Sequence, residues 1–229
     1  MRALLLAAGM GTRLRPLTDT VPKCLVPIKG EALLGIWLER LIRAGIGPVL
    51  INTHYLSRLV ESFIQRNAHR DYVKLVHEAE LKGTAGTLIH NLDYFDGEGA
   101  MLIHADNYCL ANLPAFVRAH ANRPSECGMT MMTFRTPHPQ SCGIVEKDGR
   151  GVVTAFHEKI ANPPGDIANG GMYILSRELM EQIDTEFKNA KDFSTQIIPH
   201  FVGRIYSYHT SEVFMDIGTP ESYAAANEL

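Results

Sequence analysis

The chain has 229 residues, 45% of them hydrophobic and 21% charged, with a formal net charge of −3. This composition can bury a full core, which excludes a disordered chain, and the lack of a basic excess excludes a surface that binds many nucleic-acid phosphates. A small phosphorylated ligand needs only a few local cations and stays open.

In chain order, the apolar run Arg2–Ala7 reads as a buried strand. It breaks into Gly9-Met10-Gly11-Thr12-Arg13-Leu14-Arg15-Pro16, and Pro16 and Pro22 predict an extended, pinned loop in place of a long helix. Leu33, Leu34, Trp37, Leu38, Leu41 and Ile42 fall at helical spacing, and Gly45 and Gly47 close that helix. Val49–Asn52 is the next strand. Leu56, Leu59, Val60, Phe63 and Ile64 form an amphipathic helix, capped by Ser57 or a neighbour. Val73–Val76 is a third strand, Gly83–Asn91 starts on glycines and continues as a helix, and Met101–Ala105 is a fourth strand ending at Asp106. Strand–helix alternation implies parallel βαβ units.

Beyond about residue 110 the pattern changes. Met129–Phe134, Gly143–Glu146, Val152–His157 and Met172–Leu175 are strand-like, with turn signals such as Asp148-Gly149 between them. Arg204–Tyr208 and Val213–Met215 add late strands, and Pro220–Asn227 closes the chain as a helix. The reading is one mixed α/β domain over residues 1–229, with a nucleotide-like half at 1–110 and a more antiparallel half at 111–229. Met129, Met131 and Met132 fit a buried strand.

Four features carry chemistry. The opening loop leaves the carboxyl end of a strand, where α/β proteins bind ligands. Its glycines let backbone N–H groups approach an anion, and Arg13, Arg15 and Lys23 add positive charge, so a polyphosphate fits. It lacks the Gly-Lys-Ser/Thr ending of a Walker A loop, and Leu14 stands where a dinucleotide loop has its third glycine. Asp106 and Asp216 each follow a strand, and two such acids could hold Mg²⁺ together with phosphate oxygens. Each also has an ordinary reading, a helix cap for Asp106 and a turn former for Asp216. In Phe156-His157-Glu158-Lys159 a carboxylate can accept sugar hydroxyls while the ammonium meets a phosphate; an exposed ion pair is the plainer alternative. Asn169-Gly170-Gly171 reads as a turn. Gly83-Thr84-Ala85-Gly86-Thr87 puts small residues at a helix start, for a ring or phosphate to approach or for close packing.

Taken together, Leu-Ala-Ala-Gly-Met-Gly-Thr-Arg-Leu-Arg-Pro-Leu-Thr, then Pro22-Lys23, Gly-Thr-Ala-Gly, Asp106-Asn107, Glu158-Lys159, Asn-Gly-Gly and Asp-Ile-Gly-Thr-Pro resemble the sugar-1-phosphate nucleotidylyltransferase family, through essentially the whole chain. The resemblance implies a Rossmann-like mixed, mostly parallel α/β sheet with helices on both faces. It implies that Ala8, Gly9, Gly11, Thr12 and Arg13 hold a nucleoside triphosphate, with Arg13 on its phosphates and Lys23 near the α-phosphate, as the catalytic cations. Glu78, Gly83 and Thr84 would lie at the base, and Asp106 and Asp216 would coordinate Mg²⁺. Asn107, Gly143, Glu158 and Asn169 would meet the sugar, and Lys159 its phosphate. Ala105, Ile160, Gly170 and Phe214 depart from the family's usual Gly, Pro, Ala and Trp; none removes a charged group.

The expected reaction is Mg²⁺-dependent transfer from GTP to mannose 1-phosphate or a related sugar, in nucleotide-sugar biosynthesis for cell-surface polysaccharide. Transfer from UTP, dTTP or CTP to another sugar phosphate or phospho-alcohol is the alternative. A catalytically silent, nucleotide-sugar-sensing subunit is the reading from another class. The attacking phosphate is already anionic, its second pKa being about 6, so no Ser-His-Asp set is needed. The ten histidines form no HxxxH or HxH pair, and the cysteines (Cys24, Cys109, Cys127, Cys142) no CxxC pair, so neither zinc nor a disulfide framework is expected. The six-residue apolar run near the start is too short for a leader or membrane span, and no hexapeptide repeats follow the closing helix. The expectation is a cytoplasmic monomer or homodimer without nucleic-acid or membrane partners.

Overall fold

A computed structural model describes residues 1–229. The strands are β1 (Arg2–Leu6), β2 (Pro27–Ile28), β3 (Glu31–Ala32), β4 (Val49–Thr53), β5 (Val73–His77), β6 (Ala100–His104), β7 (Asn107–Cys109), β8 (Met129–Arg135), β9 (Gly143–Lys147), β10 (Val153–Glu158), β11 (Ile167–Leu175), β12 (Ile205–His209) and β13 (Phe214–Asp216). The helices are α1 (Leu33–Arg43), α2 (Ser57–Arg66), α3 (Gly83–His90), α4 (Leu113–Ala121), α5 (Arg177–Glu186), α6 (Phe193–Gln196) and α7 (Pro220–Glu228). Two compact units are discontinuous in sequence: Met1–Leu81 with Ile103–Leu110 and Val213–Leu229, and Lys82–Leu102 with Ala111–Glu212.

In the first unit β1, β4 and β5 pair in parallel, Leu6 opposite Asn52 and Asn52 opposite Val76. Parallel strands are covered on both faces and so need near-continuous apolar runs; Leu4, Leu5, Val49 and Ile51 are fully buried. The Ala105 N–H donates to Leu6 O, which lays the residues after β6 beside the end of β1. On α1 the stripe Leu33, Leu34, Trp37, Leu38 and Leu41 is buried, each large side chain contributing about 1.5–3 kcal/mol. Gly45, at φ +71°, donates its N–H to Ile42 O and ends that helix, as the sequence predicts. Ser57 does not cap α2. It is already the first helical residue, preceded by Leu56 in the left-handed region with no side-chain cap. The loop after β1 is not extended but wound into three short 3₁₀ turns, Thr12–Leu14, Leu17–Asp19 and Lys23–Leu25.

The second unit is chiefly antiparallel. β9 pairs with β10 and β11, β8 pairs with β11, and β12 adds to β8 in parallel. Met129, Met131 and Met132 are buried on β8. Asn169-Gly170-Gly171 is not a turn: it lies inside the long strand β11, where the register against β8 shifts between Asn169 and Tyr173. A bulge accommodates the glycines without ending the strand. The late strand expected at Val213–Met215 is β13, which pairs with β7 in the first unit. Helices α4 and α5 go beyond the sequence reading; Asn112 and Ser176 cap them by accepting from the N–H of Ala115 and Leu179. The sheet is therefore mixed, with helices, as the sequence predicts.

On α4, His120 is buried and its Nδ1 bonds Thr130 Oγ1 at 2.8 Å. Burial, with Arg123 nearby, pushes its pKa down to about 4. A depressed folded-state value means the unfolded chain takes the proton first, so His120 contributes stability that is complete above pH about 6.5 and lost as pH falls to about 4. The full swing is on the order of 3 kcal/mol. His120→Gln is expected to flatten the fall in melting temperature across that window; an unchanged slope would show that the histidine does not titrate between the two states.

Candidate active site

The first unit's chemistry gathers where β1 ends. Gly11 sits at φ +62°, and a Cβ there would lie 3.0 Å from Thr18 Cγ2 and 3.1 Å from Lys23 Cβ. Only glycine fits that conformation against those neighbours. Thr18 donates its hydroxyl to Gly11 O at 2.8 Å, folding the loop back so that Lys23 packs on the glycine. Ala8 is buried, while Gly9, Thr12 and Arg13 face solvent.

Lys23 is 6% exposed, and its Nζ lies 2.8 Å from Asp106 Oδ2 and 3.1 Å from Asp216 Oδ1. Arg13 reaches the other oxygen of Asp216 at 3.3 Å. Arg15 instead pairs with Asp19 at 3.1 Å. The two acids meet because β7 and β13 pair antiparallel with Asn107 opposite Asp216. Trp37 donates its indole N–H to Asn107 O at 2.9 Å, anchoring the residue after Asp106 to α1. Asp106 itself lies in the turn between β6 and β7, not at a helix cap. After Asp216, Ile217 is buried and Thr219 caps α7 in a capping box with Ser222, so Asp-Ile-Gly-Thr-Pro is a strand end plus a helix start.

Burial alone would lower the pKa of Lys23, but Asp106 and Asp216 outweigh it and hold the ammonium above its ordinary value. Partial desolvation at the Lys23 contact favours neutral Asp106; the Lys23 charge, helped by His104, overrides it and keeps the carboxyl below its ordinary value. Burial pushes the adjacent Cys24 thiol up to about 12, so it is a packing residue and no nucleophile.

The acids fit Mg²⁺ by donor chemistry. Hard carboxylate oxygens suit it, and it binds through one or two carboxylates while keeping positions for water and phosphate. Asp106 and Asp216 converge on one point, occupied by the Lys23 ammonium, and their side chains keep 42% and 49% of their surface open.

Glu78, directly after β5, is buried. Its carboxylate accepts from Asn52 Nδ2 at 3.1 Å and its carbonyl from His54 Nδ1 at 2.7 Å. Asn52, which the sequence reading does not single out, joins the end of β1 to Glu78 through its side-chain amide. A polar side chain at the end of the apolar run Val49-Leu-Ile is the signal that could have found it.

In the second unit Gly143 opens β9 opposite Glu158, and Ala168 opposite Ile144 puts Asn169 next to Gly143 in register. Glu158, Gly143 and Asn169 thus form a row across β10, β9 and β11. Lys159 follows at φ +49°, a strained conformation for a non-glycine residue, with its Nζ 3.3 Å from Glu158 Oε1. Such strain clusters at functional sites. The Asn169 amide donates to Tyr173 OH at 2.7 Å and its oxygen accepts the Gly171 N–H at 3.0 Å.

Gly83 and Thr84 have packing partners of their own in this unit. Thr84 Oγ1 accepts the Phe193 N–H at 2.7 Å, and a Cβ on Gly83, which sits at φ +78°, would collide with Lys191 O. Gly83→Ala is expected to cost more than about 1 kcal/mol, or about 3 °C or more in a melting experiment; an unshifted transition would mean the backbone there yields freely.

With this geometry in place, the comparisons with known proteins are specific. The family described as Nucleotidyl transferase matches residues 2–229, and the chain belongs to it. A mannose-1-phosphate guanylyltransferase of Mycobacterium tuberculosis is 30% identical over 224 residues, covering 96% of this chain and 62% of that protein. The chain thus spans 62% of the length of that curated relative. HddC from Yersinia pseudotuberculosis, in a crystal structure complexed with GMP-PN, is 26% identical with a TM-score of 0.82, over 99% of this chain and 98% of that one. A UDP-glucose pyrophosphorylase complexed with UDP-glucose, 21% identical, shares the fold with a TM-score of 0.82 over 99% and 97% of the two chains. No helix is long and apolar enough to cross a membrane.

Proposed function

We propose that this chain transfers a nucleoside monophosphate from a nucleoside triphosphate to a sugar 1-phosphate and releases pyrophosphate. Its substrates in this reading are GTP and mannose 1-phosphate or a closely related sugar. The observation that carries the reading is Lys23, buried yet charged between Asp106 and Asp216 at the foot of a glycine loop that also bears Arg13. The guanylyltransferase name of the Mycobacterium tuberculosis relative supports the choice of base and sugar.

The chemistry asks for charge neutralisation and alignment more than for a protein nucleophile. A sugar-phosphate oxygen attacks the α-phosphorus and pyrophosphate leaves. Two unit charges 4 Å apart repel by about 4 kcal/mol at an effective dielectric of 20. Backbone N–H groups of Gly9–Thr12 and the Arg13 guanidinium hold the triphosphate, and Lys23 offsets charge building at the α-phosphate. In the second unit Glu158 and the Gly143 backbone take the sugar and Lys159 takes its phosphate; Asn107 and Asn169 are further sugar contacts. Mg²⁺, held by Asp106 and Asp216, would neutralise phosphate oxygens when bound.

A silent, nucleotide-sensing subunit would have no use for Lys23, Asp106 and Asp216 together. A pyrophosphate-release matrix of four triphosphates against several sugar 1-phosphates, with Mg²⁺, tests the reading. The expected result is turnover with GTP and mannose 1-phosphate or a close analogue. Background rates with every pair would refute transfer and leave the sensing role.

A further inference from the structure

We infer that Asn52 is a positioning residue that orients the Glu78 carboxylate toward the nucleobase, so that the pair selects guanine; this rests on the triphosphate-binding reading above. Asn52 stands at the carboxyl end of β4 and makes two bonds that differ in kind. Its Oδ1 accepts the Ala7 N–H at 2.8 Å, at the mouth of the glycine loop, and its Nδ2 donates to Glu78 Oε1 at 3.1 Å. Both Asn52 and Glu78 are almost fully buried, at 3% and 2% exposure. The backbone of Glu78 is fixed twice more, its N–H on Thr53 O at 2.8 Å and its carbonyl under His54 Nδ1. One amide therefore ties the start of the phosphate-binding loop to a buried carboxylate at the same sheet edge, where α/β sheets take their ligands.

A carboxylate only accepts, and it has lone-pair sites for about four donors. Guanine alone among the bases puts two adjacent donors, N1–H and the 2-amino group, on one edge. Uracil and thymine flank N3–H with carbonyls, which a carboxylate repels. Adenine and cytosine place a ring acceptor beside their amino group. An acceptor-only side chain held rigid by Asn52 therefore favours guanine and disfavours the rest.

The orientation of the amide makes the idea testable. In Glu78→Gln, Asn52 Nδ2 still demands an acceptor, so it takes the Gln oxygen and turns the new NH₂ toward the base. In the double variant Asn52→Asp with Glu78→Gln, the introduced carboxylate accepts from both the Ala7 N–H and the Gln NH₂, which turns the Gln oxygen back toward the base. The measurement is calorimetric binding of GTP, ITP and UTP with Mg²⁺ to wild type and both variants, with melting curves alongside. Wild type should bind ITP, which lacks the 2-amino group, about 10-fold or more weaker than GTP. Glu78→Gln should lower GTP affinity about 10- to 100-fold and reverse part of the GTP:UTP preference, and the double variant should restore that preference at least tenfold over Glu78→Gln. A purely structural role would make the double variant no better than the single one, and that result would overturn the inference. Should either variant fail to fold, equal binding of GTP, ITP and 1-methyl-GTP by wild type would overturn it as well. Absence of binding by any triphosphate would instead refute the function reading on which it stands.

Discussion

Lys23→Ala is expected to lower kcat by about 10²–10³-fold, the scale for removing one preorganised charge at a site of developing negative charge. The effect is large because Lys23 is tightly enclosed. It is wedged against Gly11, capped by two carboxylates and 6% exposed, so its charge acts at low dielectric and needs no reorganisation during the reaction. Removing it also leaves Asp106 and Asp216 facing each other. Their side chains remain about half open to water, which moderates the folding penalty, and a melting curve separates it from the kinetic loss. A change of less than about threefold in steady-state kcat would sink the role assigned to Lys23.

Asp106→Ala and Asp216→Ala should each abolish Mg²⁺-dependent turnover. The two acids come from distant parts of the chain and meet only through the β7–β13 pairing, so neither can replace the other. Two carboxylates suffice for Mg²⁺ because phosphate oxygens and water complete its shell. Binding can be read without turnover: Mn²⁺ titration in the presence of GTP, followed by electron paramagnetic resonance, should show metal uptake by wild type and little by either variant. Normal metal titration and normal rate in either one would show the two-acid site to be wrong.

Much of the fold is legible in local pattern. Ala3–Leu6 and Val49–Ile51 announce buried parallel strands because a strand covered on both faces tolerates few polar residues. Leu33 to Leu41 announce α1 through helical spacing, and Gly45 its end. Other elements are not readable this way. The helix Arg177–Glu186 has three buried apolar residues, Leu179, Met180 and Ile183, so tertiary burial more than local propensity establishes it. Asn169-Gly170-Gly171 carries a turn signature that β8 overrides by pairing on both sides of it. In the site, the residue types are legible and their connections are not. Lys23, Asp106 and Asp216 are polar exceptions in apolar surroundings and stand out. That Asn107 pairs with Asp216, that Trp37 reaches Asn107 O, and that Asn52 links Ala7 to Glu78 depend on strand register between distant segments, which spacing along one sequence does not encode.

Attack at the α-phosphorus of a nucleoside triphosphate is tested most directly by following labelled phosphate. Wild-type protein is incubated with Mg²⁺, mannose 1-phosphate and GTP labelled either at the α- or at the γ-phosphate, and the products are separated. The α-label should appear in a GDP-sugar and the γ-label in pyrophosphate. Release of the γ-label as inorganic phosphate, with α-label retained in GDP, would contradict it.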